Sequence, residues 1–396
     1  MSSESTGVRP VVVIGMGLTS ALGTGIERTL RAMYAEEPPC PMLPSAFGTD
    51  LKLPVFAVPD LPRDTRLPGG FCTMLLKTAL DEALDRAGLT PAELGRLRVG
   101  VAIGTTVACQ LNDVPFYSVL RGRELPSAEP LRSYVGGVPA EWVRRTYMLK
   151  GPAITVSNAC ASGTDAVGIA AAWVRTGLVD VAIAGGTDEL NKVPYDGFNA
   201  LGVCSTEPCR PFDAERSGLN LGEAAGVVVL AGADLGSHAK FAVTGFGKSA
   251  DAHHITQPEE QGLQLERAIR KALSNSGATP EEVDFINAHG TGTQANDRVE
   301  SLVFGRVFGP QVRFMSTKAM TGHTLGAAGA VECVLTLLMM EHGRLVKNHR
   351  FSRLAEDMPV APLAECVALE SPRRALSVSL AFGGSNSALV LERTAS

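Results

Sequence analysis

Cys160 stands among small residues, in Ser157-Asn158-Ala159-Cys160-Ala161-Ser162-Gly163. A short apolar run at 153–156 precedes it and an Ala-rich stretch at 166–174 follows. That order predicts a thiol on a strand-to-helix turn, close to a helix N-terminus. Free backbone N–H groups and the helix dipole there favour thiolate over thiol, and a neighbouring amide can hold a developing oxyanion. The other seven cysteines read as small buried side chains. Two histidines lie in equally open text. His289 opens His289-Gly290-Thr291-Gly292-Thr293, where the glycines admit a ligand to the backbone and the hydroxyls offer polar contacts. His323 lies in Lys318-Ala319-Met320-Thr321-Gly322-His323-Thr324.

The elements that would carry these residues alternate along the chain. Val/Ile-rich runs ending in glycine, at 11–17, 99–104, 181–186 and 379–384, read as buried strands that turn tightly. Between them lie helical patterns, such as Leu76, Ala79, Leu80, Ala83, Leu84 and Ala87. Alternation of this kind implies an α/β fold with buried sheets. The text also repeats itself in three places. Residues 12–17 match 242–247, residues 87–93 match 276–282, and residues 157–163 match 316–322. In the second pair Gly ends one helix, Thr caps the next, Pro takes its first position and Glu completes a capping box. Three matches in one order imply two similar halves related by a pseudo-twofold, 1–239 and 240–396. The third match places His323 at the start of the helix equivalent to the one after Cys160, so the twofold brings Cys160 and His323 together. Residues 105–150 have no counterpart and read as an insertion, a lid or a subunit contact. Its Phe116, Tyr117, Val119 and Leu120 form an apolar cluster of the kind that marks an interface.

Composition narrows the function. The 396 residues carry 36 basic and 41 acidic side chains, a net charge of −5 that disfavours nucleic acid as a partner. No apolar run reaches membrane-spanning length, since the best stretch, 329–340, is short and contains Glu332. The polar first nine residues lack a signal region, and the scattered cysteines contain no C-x-x-C pair. These features lead us to expect a cytoplasmic enzyme without a metal site or a disulfide framework. Gly15-Met16-Gly17 lacks the third glycine of a dinucleotide fingerprint and the lysine of a P-loop, so it reads as a first strand and its turn.

The motifs at 158–163, 210–213, 222–226, 287–293, 316–332 and 382–386, in this order and spacing, resemble the elongating β-ketoacyl-[acyl-carrier-protein] synthases, the synthase II type of the thiolase superfamily. The resemblance runs from Val11 to Leu391. It implies an α/β thiolase-like fold of two βαβαβαββ halves in five αβαβα layers. It implies decarboxylative Claisen condensation of an acyl thioester with malonyl-acyl carrier protein in fatty-acid or polyketide elongation. Cys160 would take the acyl chain, and His289 and His323 would donate Nε2–H to the malonyl thioester oxygen as carbon dioxide leaves. The backbone N–H groups of Cys160 and Phe382 would hold the acyl oxyanion. Phe382, Gly383 and Gly384 would form a gate, with Asp251 on a second gating loop. Thr291 and Thr293 match phosphopantetheine contacts, and Lys318, Glu332 and Asp297 match supporting positions. A cation at Lys318 would also keep nearby histidines neutral. Glu332, nine positions after His323, would lie on the opposite face of one helix. Arg210, Arg63 and Arg66 are candidates for carrier docking. No cofactor is implied, since the 4′-phosphopantetheine arrives on the carrier, and the family is dimeric, as a homodimer or a ketosynthase heterodimer.

Two departures stand out. Ala381 replaces a glycine before Phe382, which would stiffen the gate if that position needs positive φ. The segment 109–140, which often lines the acyl pocket in the family, differs most. The alternative reading is a non-catalytic partner subunit like the chain-length factors, which usually lack the nucleophile. Cys160 with both histidines argues against it.

Overall fold

The computed structural model describes residues 10–63, 67–106, 114–123, 125, 127–136 and 138–394. The first half contains β1 (Val11–Ser20), β2 (Gly23–Thr24), α1 (Ile26–Met33), α2 (Gly70–Arg86), α3 (Pro91–Leu94) and β3 (Val99–Gly104). It continues through α4 (Val114–Arg121), α5 (Glu129–Gly136), α6 (Pro139–Thr146), β4 (Ala153–Val156), α7 (Ser162–Arg175), β5 (Val181–Asp188), α8 (Lys192–Ala200) and β6 (Ala224–Gly232). The second half has β7 (Phe241–Ala250), α9 (Leu263–Ser276), β8 (Phe285–Asn287), α10 (Gln294–Phe308), β9 (Phe314–Met315), α11 (Lys318–Thr321) and α12 (Ala328–His342). It ends with β10 (Arg344–Leu345), β11 (Val367–Ala368), β12 (Arg374–Ala381) and β13 (Ser385–Arg393).

Strand order makes the internal symmetry explicit. The main sheet runs β4-β3-β5-β6-β1-β7-β13-β12-β8-β9. Read outward from the β1/β7 seam, one half is β1-β6-β5-β3-β4 and the other β7-β13-β12-β8-β9. Each has one strand from its start beside an antiparallel neighbour and a parallel outer run. Two residue pairs, Val12 with Ala242 and Val13 with Phe241, join the halves across the seam. The repeat in the text therefore sits at equivalent places. Both capping boxes form, at Thr90/Glu93 and Thr279/Glu282. The Gly-x-Gly pairs have one cause: a Cβ on Gly15 or Gly17 would strike the backbone of α2, and one on Gly245 or Gly247 the backbone of α9. They let a helix lie directly on its strand, which explains them without a nucleotide.

Five layers follow from the packing. α7 and α12 lie together at the centre, and their apolar side chains pack with residues of both half-sheets. α2 and α6 cover the outer face of one half-sheet, and α9 and α10 that of the other. The central position of α12 explains its composition. The segment Leu325–His342 is long and apolar enough to cross a membrane, but it is 89% buried inside the fold. The insertion contributes α4, α5 and α6. Tyr117, Val119 and Leu120 are exposed on α4, beside which Phe116 is half-buried. Cys109 lies outside the described residues.

One expectation about the second half fails. His323 does not begin a helix. It is followed by a 3₁₀ turn at Leu325–Ala327, and α12 starts only at Ala328. Leu325 adopts φ 52°, a left-handed conformation that interrupts the helical path. The opposite-face argument for Glu332 therefore has no continuous helix to rest on, although Glu332 is buried all the same.

Candidate active site

The nucleophile turn is built by short-range hydrogen bonds. β4 ends at Val156, and the Asn158 N–H then donates to Ser162 Oγ at 2.8 Å, while Ser162 Oγ donates to Ala159 O at 2.6 Å. Ala159 has φ 47°, a costly conformation for a residue with a side chain. The turn lifts Cys160 into a cavity of roughly 290 Å³ that is also lined by His289, His323, Phe198 and Phe382. The thiol is nonetheless 5% exposed. Burial pushes it up to about 12, against the pull of the Lys318 cation and a hydrogen bond from the Phe382 N–H. The sequence reading expects a thiol biased toward thiolate. In this closed site desolvation outweighs the helix terminus, and the resting nucleophile is a neutral thiol. Iodoacetamide labelling of Cys160, followed by peptide mass, should therefore accelerate about tenfold per pH unit from pH 7 to 10. A plateau below pH 8.5 would restore the thiolate reading.

Both histidines are held by their second ring nitrogen. Lys318 Nζ lies 3.1 Å from His289 Nδ1 and 2.5 Å from His289 O, and it pairs with Glu332. An ammonium can only donate, so Nδ1 accepts and the proton of His289 sits on Nε2. The Leu325 N–H donates to His323 Nδ1 at 3.1 Å, which fixes the same tautomer there. The positive φ of Leu325 serves this contact. Burial first, and the Lys318 cation second, hold both imidazoles well below the usual histidine range, so both are neutral at pH 7. The rings stand edge to face, with centroids 5.2 Å apart.

Cys160, His289 and His323 offer ligand atoms all within 4.8 Å of one another. That donor set would suit zinc, but the tautomers oppose it. A metal-bound imidazole donates its other N–H to an acceptor, whereas both Nδ1 atoms here face donors. The arrangement instead aims two N–H donors at one point beside a thiol, which suits an oxyanion or enolate.

The His289 loop hangs on α10. Glu300 accepts from the N–H groups of His289 and Gly290 at 2.7 and 2.6 Å. Asp297 accepts from Thr291, Gly292 and Phe212. The sequence reading names Asp297 but misses Glu300, whose signal was its place one turn after Asp297. Thr291 and Thr293 line the cavity and share a 2.9 Å contact between hydroxyls.

Phe382 closes the cavity, stacked on Phe198 of α8 with centroids 5.3 Å apart and planes 19° off parallel. Phe198 also meets His323 edge-on at 6.4 Å, and sequence reasoning does not single it out. Gly383 and Gly384 both have positive φ, 86° and 79°. The loop is tied to the second one, since Gly383 N–H donates to Ile255 O and Asn386 Nδ2 to Asp251 Oδ1, both at 2.6 Å, and Asp251 N–H to Gly384 O. Ala381 is the last residue of β12 and its φ is not positive, so the alanine carries no strain in this closed arrangement. Phe382→Ala should open the site: malonyl carrier without a primer should lose carbon dioxide faster than with the native chain, at a stability cost of about 1–3 kcal/mol for a half-buried ring. Strict ping-pong kinetics in the variant would make Phe382 a packing residue.

The docking candidates fare differently. Arg63 pairs with the buried Glu223 and stacks 4.6 Å over Phe71, so it is a structural cation rather than a free surface one. Arg66 lies outside the described residues. Arg210 is part-exposed, 3.2 Å from Glu215, with its backbone against the Gly292 turn at the cavity.

Two family models match the chain: "Beta-ketoacyl synthase, N-terminal domain" at residues 69–236 and "Beta-ketoacyl synthase, C-terminal domain" at 241–352. Nodulation protein E of Rhizobium leguminosarum bv. trifolii is 33% identical over 97% of this chain and 99% of its own. The mitochondrial 3-oxoacyl-[acyl-carrier-protein] synthase of Arabidopsis thaliana is 32% identical over 98% and 94%. Among solved structures, a chain of the ishigamide ketosynthase/chain length factor superposes with a TM-score of 0.88 at 30% identity, covering 98% of this chain and all of the other.

Proposed function

The chain belongs to the β-ketoacyl synthase family, and from that premise we propose that Cys160 carries the acyl chain while His289 and His323 stabilise the malonyl-derived enolate. The reaction is a decarboxylative Claisen condensation that gives a β-ketoacyl thioester in fatty-acid or polyketide elongation. One observation carries the residue assignment: side chains from both halves converge so that two Nε2–H groups face the point beside one thiol.

The steps follow from that geometry. The Cys160 sulfur attacks the acyl thioester carbonyl as a thiolate, the carbonyl–sulfur bond to the carrier breaks, and the proton given up by Cys160 ends on the leaving carrier thiol. The N–H groups of Cys160 and Phe382 would hold the oxyanion, a reading that the Phe382 N–H contact to the sulfur supports. Malonyl carrier then occupies the site. Its C–CO₂⁻ bond breaks, carbon dioxide departs, and the electron pair enters the thioester as an enolate whose oxygen accepts from both imidazoles. The enolate carbon attacks the acyl group, and Cys160 thiolate is expelled. Lys318 fixes the tautomer of His289, and Glu332 balances the buried ammonium. Thr291 and Thr293 are suited to the phosphopantetheine arm, which the carrier brings, so the enzyme needs no cofactor of its own. Residues 1–239 thus supply the nucleophile and residues 240–396 both histidines.

The partners are acyl carrier protein and a second ketosynthase-like subunit, identical or related. The exposed Tyr117, Val119 and Leu120 support the subunit contact. The cytoplasm, or another reducing compartment, fits the thiols of Cys40, Cys160, Cys204, Cys209, Cys333 and Cys366. The test is intact mass after incubation with acyl carriers of graded length. We expect one acyl adduct on Cys160 and, once malonyl carrier is added, a product longer by two carbons. A protein that never loads, or loads elsewhere, overturns the assignment.

A further inference from the structure

Asp165 lies in the first turn of α7, five residues after Cys160, with a side chain only 2% exposed. The layer it enters should be apolar. Along β7 and β13, Phe246 and Leu389 are paired in register, and Phe246 packs against Gly168 of α7. Two and four residues nearer the site, the same face carries Lys248 opposite Ser387 and then Ala250 opposite Ser385. Asp165 gathers this polar end. Its Oδ1 accepts from Ser387 Oγ at 2.6 Å, and its Oδ2 accepts from Lys248 Nζ and, at 2.7 Å, from Asn158 Nδ2. The second hydrogen of Asn158 Nδ2 goes to Ser385 Oγ at 2.8 Å.

Asn158 stands two residues before the nucleophile, and Ser385 three residues after Phe382. One side-chain amide therefore ties the Cys160 turn to the strand that leaves the gate, and a buried carboxylate holds that amide. The two backbone N–H groups assigned to the acyl oxyanion, those of Cys160 and Phe382, belong to these two loops. We infer that Asp165 is a positioning residue: through Asn158 and Ser385 it sets the spacing of the oxyanion hole. Lys248 compensates its charge. The histidines hang on α10, Lys318 and Leu325, so the relay leaves them in place.

This inference rests on the condensing reading, which fails separately if the native chain forms no β-ketoacyl product. The experiment follows two partial reactions in Asp165→Asn, Asn158→Ala and Ser385→Ala: acylation of Cys160 from acyl carrier, by mass, and carbon dioxide release from malonyl carrier. Acylation should fall about tenfold to a hundredfold, while carbon dioxide release is kept, so carbon dioxide evolved per β-keto product rises. Asn158→Ala with Ser385→Ala should be little worse than either alone, as expected of one connected unit. Should Asp165→Asn fail to fold, Asp165→Asn with Lys248→Met removes both charges, and Ser385→Ala still breaks a single link. Equal losses in both partial reactions, or additive effects of the two single changes, overturn the proposal.

Discussion

Cys160→Ser should lose condensation by about 10³-fold or more while still releasing carbon dioxide from malonyl carrier. The two halves of this expectation have separate causes. Serine keeps the size and the turn, so Asn158, Ser162 and the strained Ala159 need not move. What changes is the acid. A buried thiol already held near 12 is reached only with help from Lys318 and the Phe382 N–H; an alcohol in the same place starts far higher and stays protonated. Acyl loading should vanish from the mass spectrum. The imidazole donors, fixed by Lys318 and Leu325, do not depend on the sulfur, so decarboxylation persists. Iodoacetamide labelling of Cys40 or Cys366, both exposed, is expected in native and variant protein alike and should leave activity unchanged. If activity survived in Cys160→Ser, or fell only when another cysteine was alkylated, the nucleophile would lie elsewhere.

The residues that were legible in the sequence owe it to local signals. Cys160 lies among small residues, His289 and His323 lie in glycine-rich turns, and the Thr-Pro-x-Glu caps at 90 and 279 announce the repeat because a capping box is written in four consecutive residues. The rest depends on partners far away in the chain. Phe198 gains meaning only by stacking on Phe382, Glu300 by accepting the N–H of His289, and Asp165 by meeting β7 and β13. The sign of the Cys160 shift escapes the sequence for the same reason. A helix N-terminus can be seen in a sequence, whereas the burial that outweighs it comes from Phe382 and the second half of the chain. The start of α12 escapes the sequence because the left-handed turn before it falls on Leu325 rather than on a glycine. Arg63 reads as a surface cation because Glu223, its buried partner, is 160 residues away.

His289→Ala and His323→Ala should each reduce malonyl decarboxylation by about 10²–10³-fold and spare much of the acyl loading. Loading needs a thiolate and two backbone N–H groups, none of which either imidazole supplies. Decarboxylation puts charge on the thioester oxygen, and each Nε2–H is a donor aimed there before the reaction begins. The pH dependence tests the same assignment. Protonation would add positive charge next to Lys318 and end the arrangement in which Nδ1 accepts, and both imidazoles are held well below 6.5 by burial and by that cation. A lowered pKa extends the neutral form downward, so native decarboxylation should stay level from pH 8 through 6.5 and fall only at lower pH. Glu332, raised to about 7 by burial, reinforces the trend: as it takes up a proton, Lys318 loses its counter-charge and repels histidine protonation more. Lys318→Met removes both the charge and the donor to His289 Nδ1. The acid limb should then move up toward pH 6.5, and His289 should lose its fixed tautomer, lowering the rate even on the plateau. Undiminished carbon dioxide release in both histidine variants, or an acid limb that ignores Lys318, would remove the paired imidazoles from the mechanism and leave the cavity to a different donor.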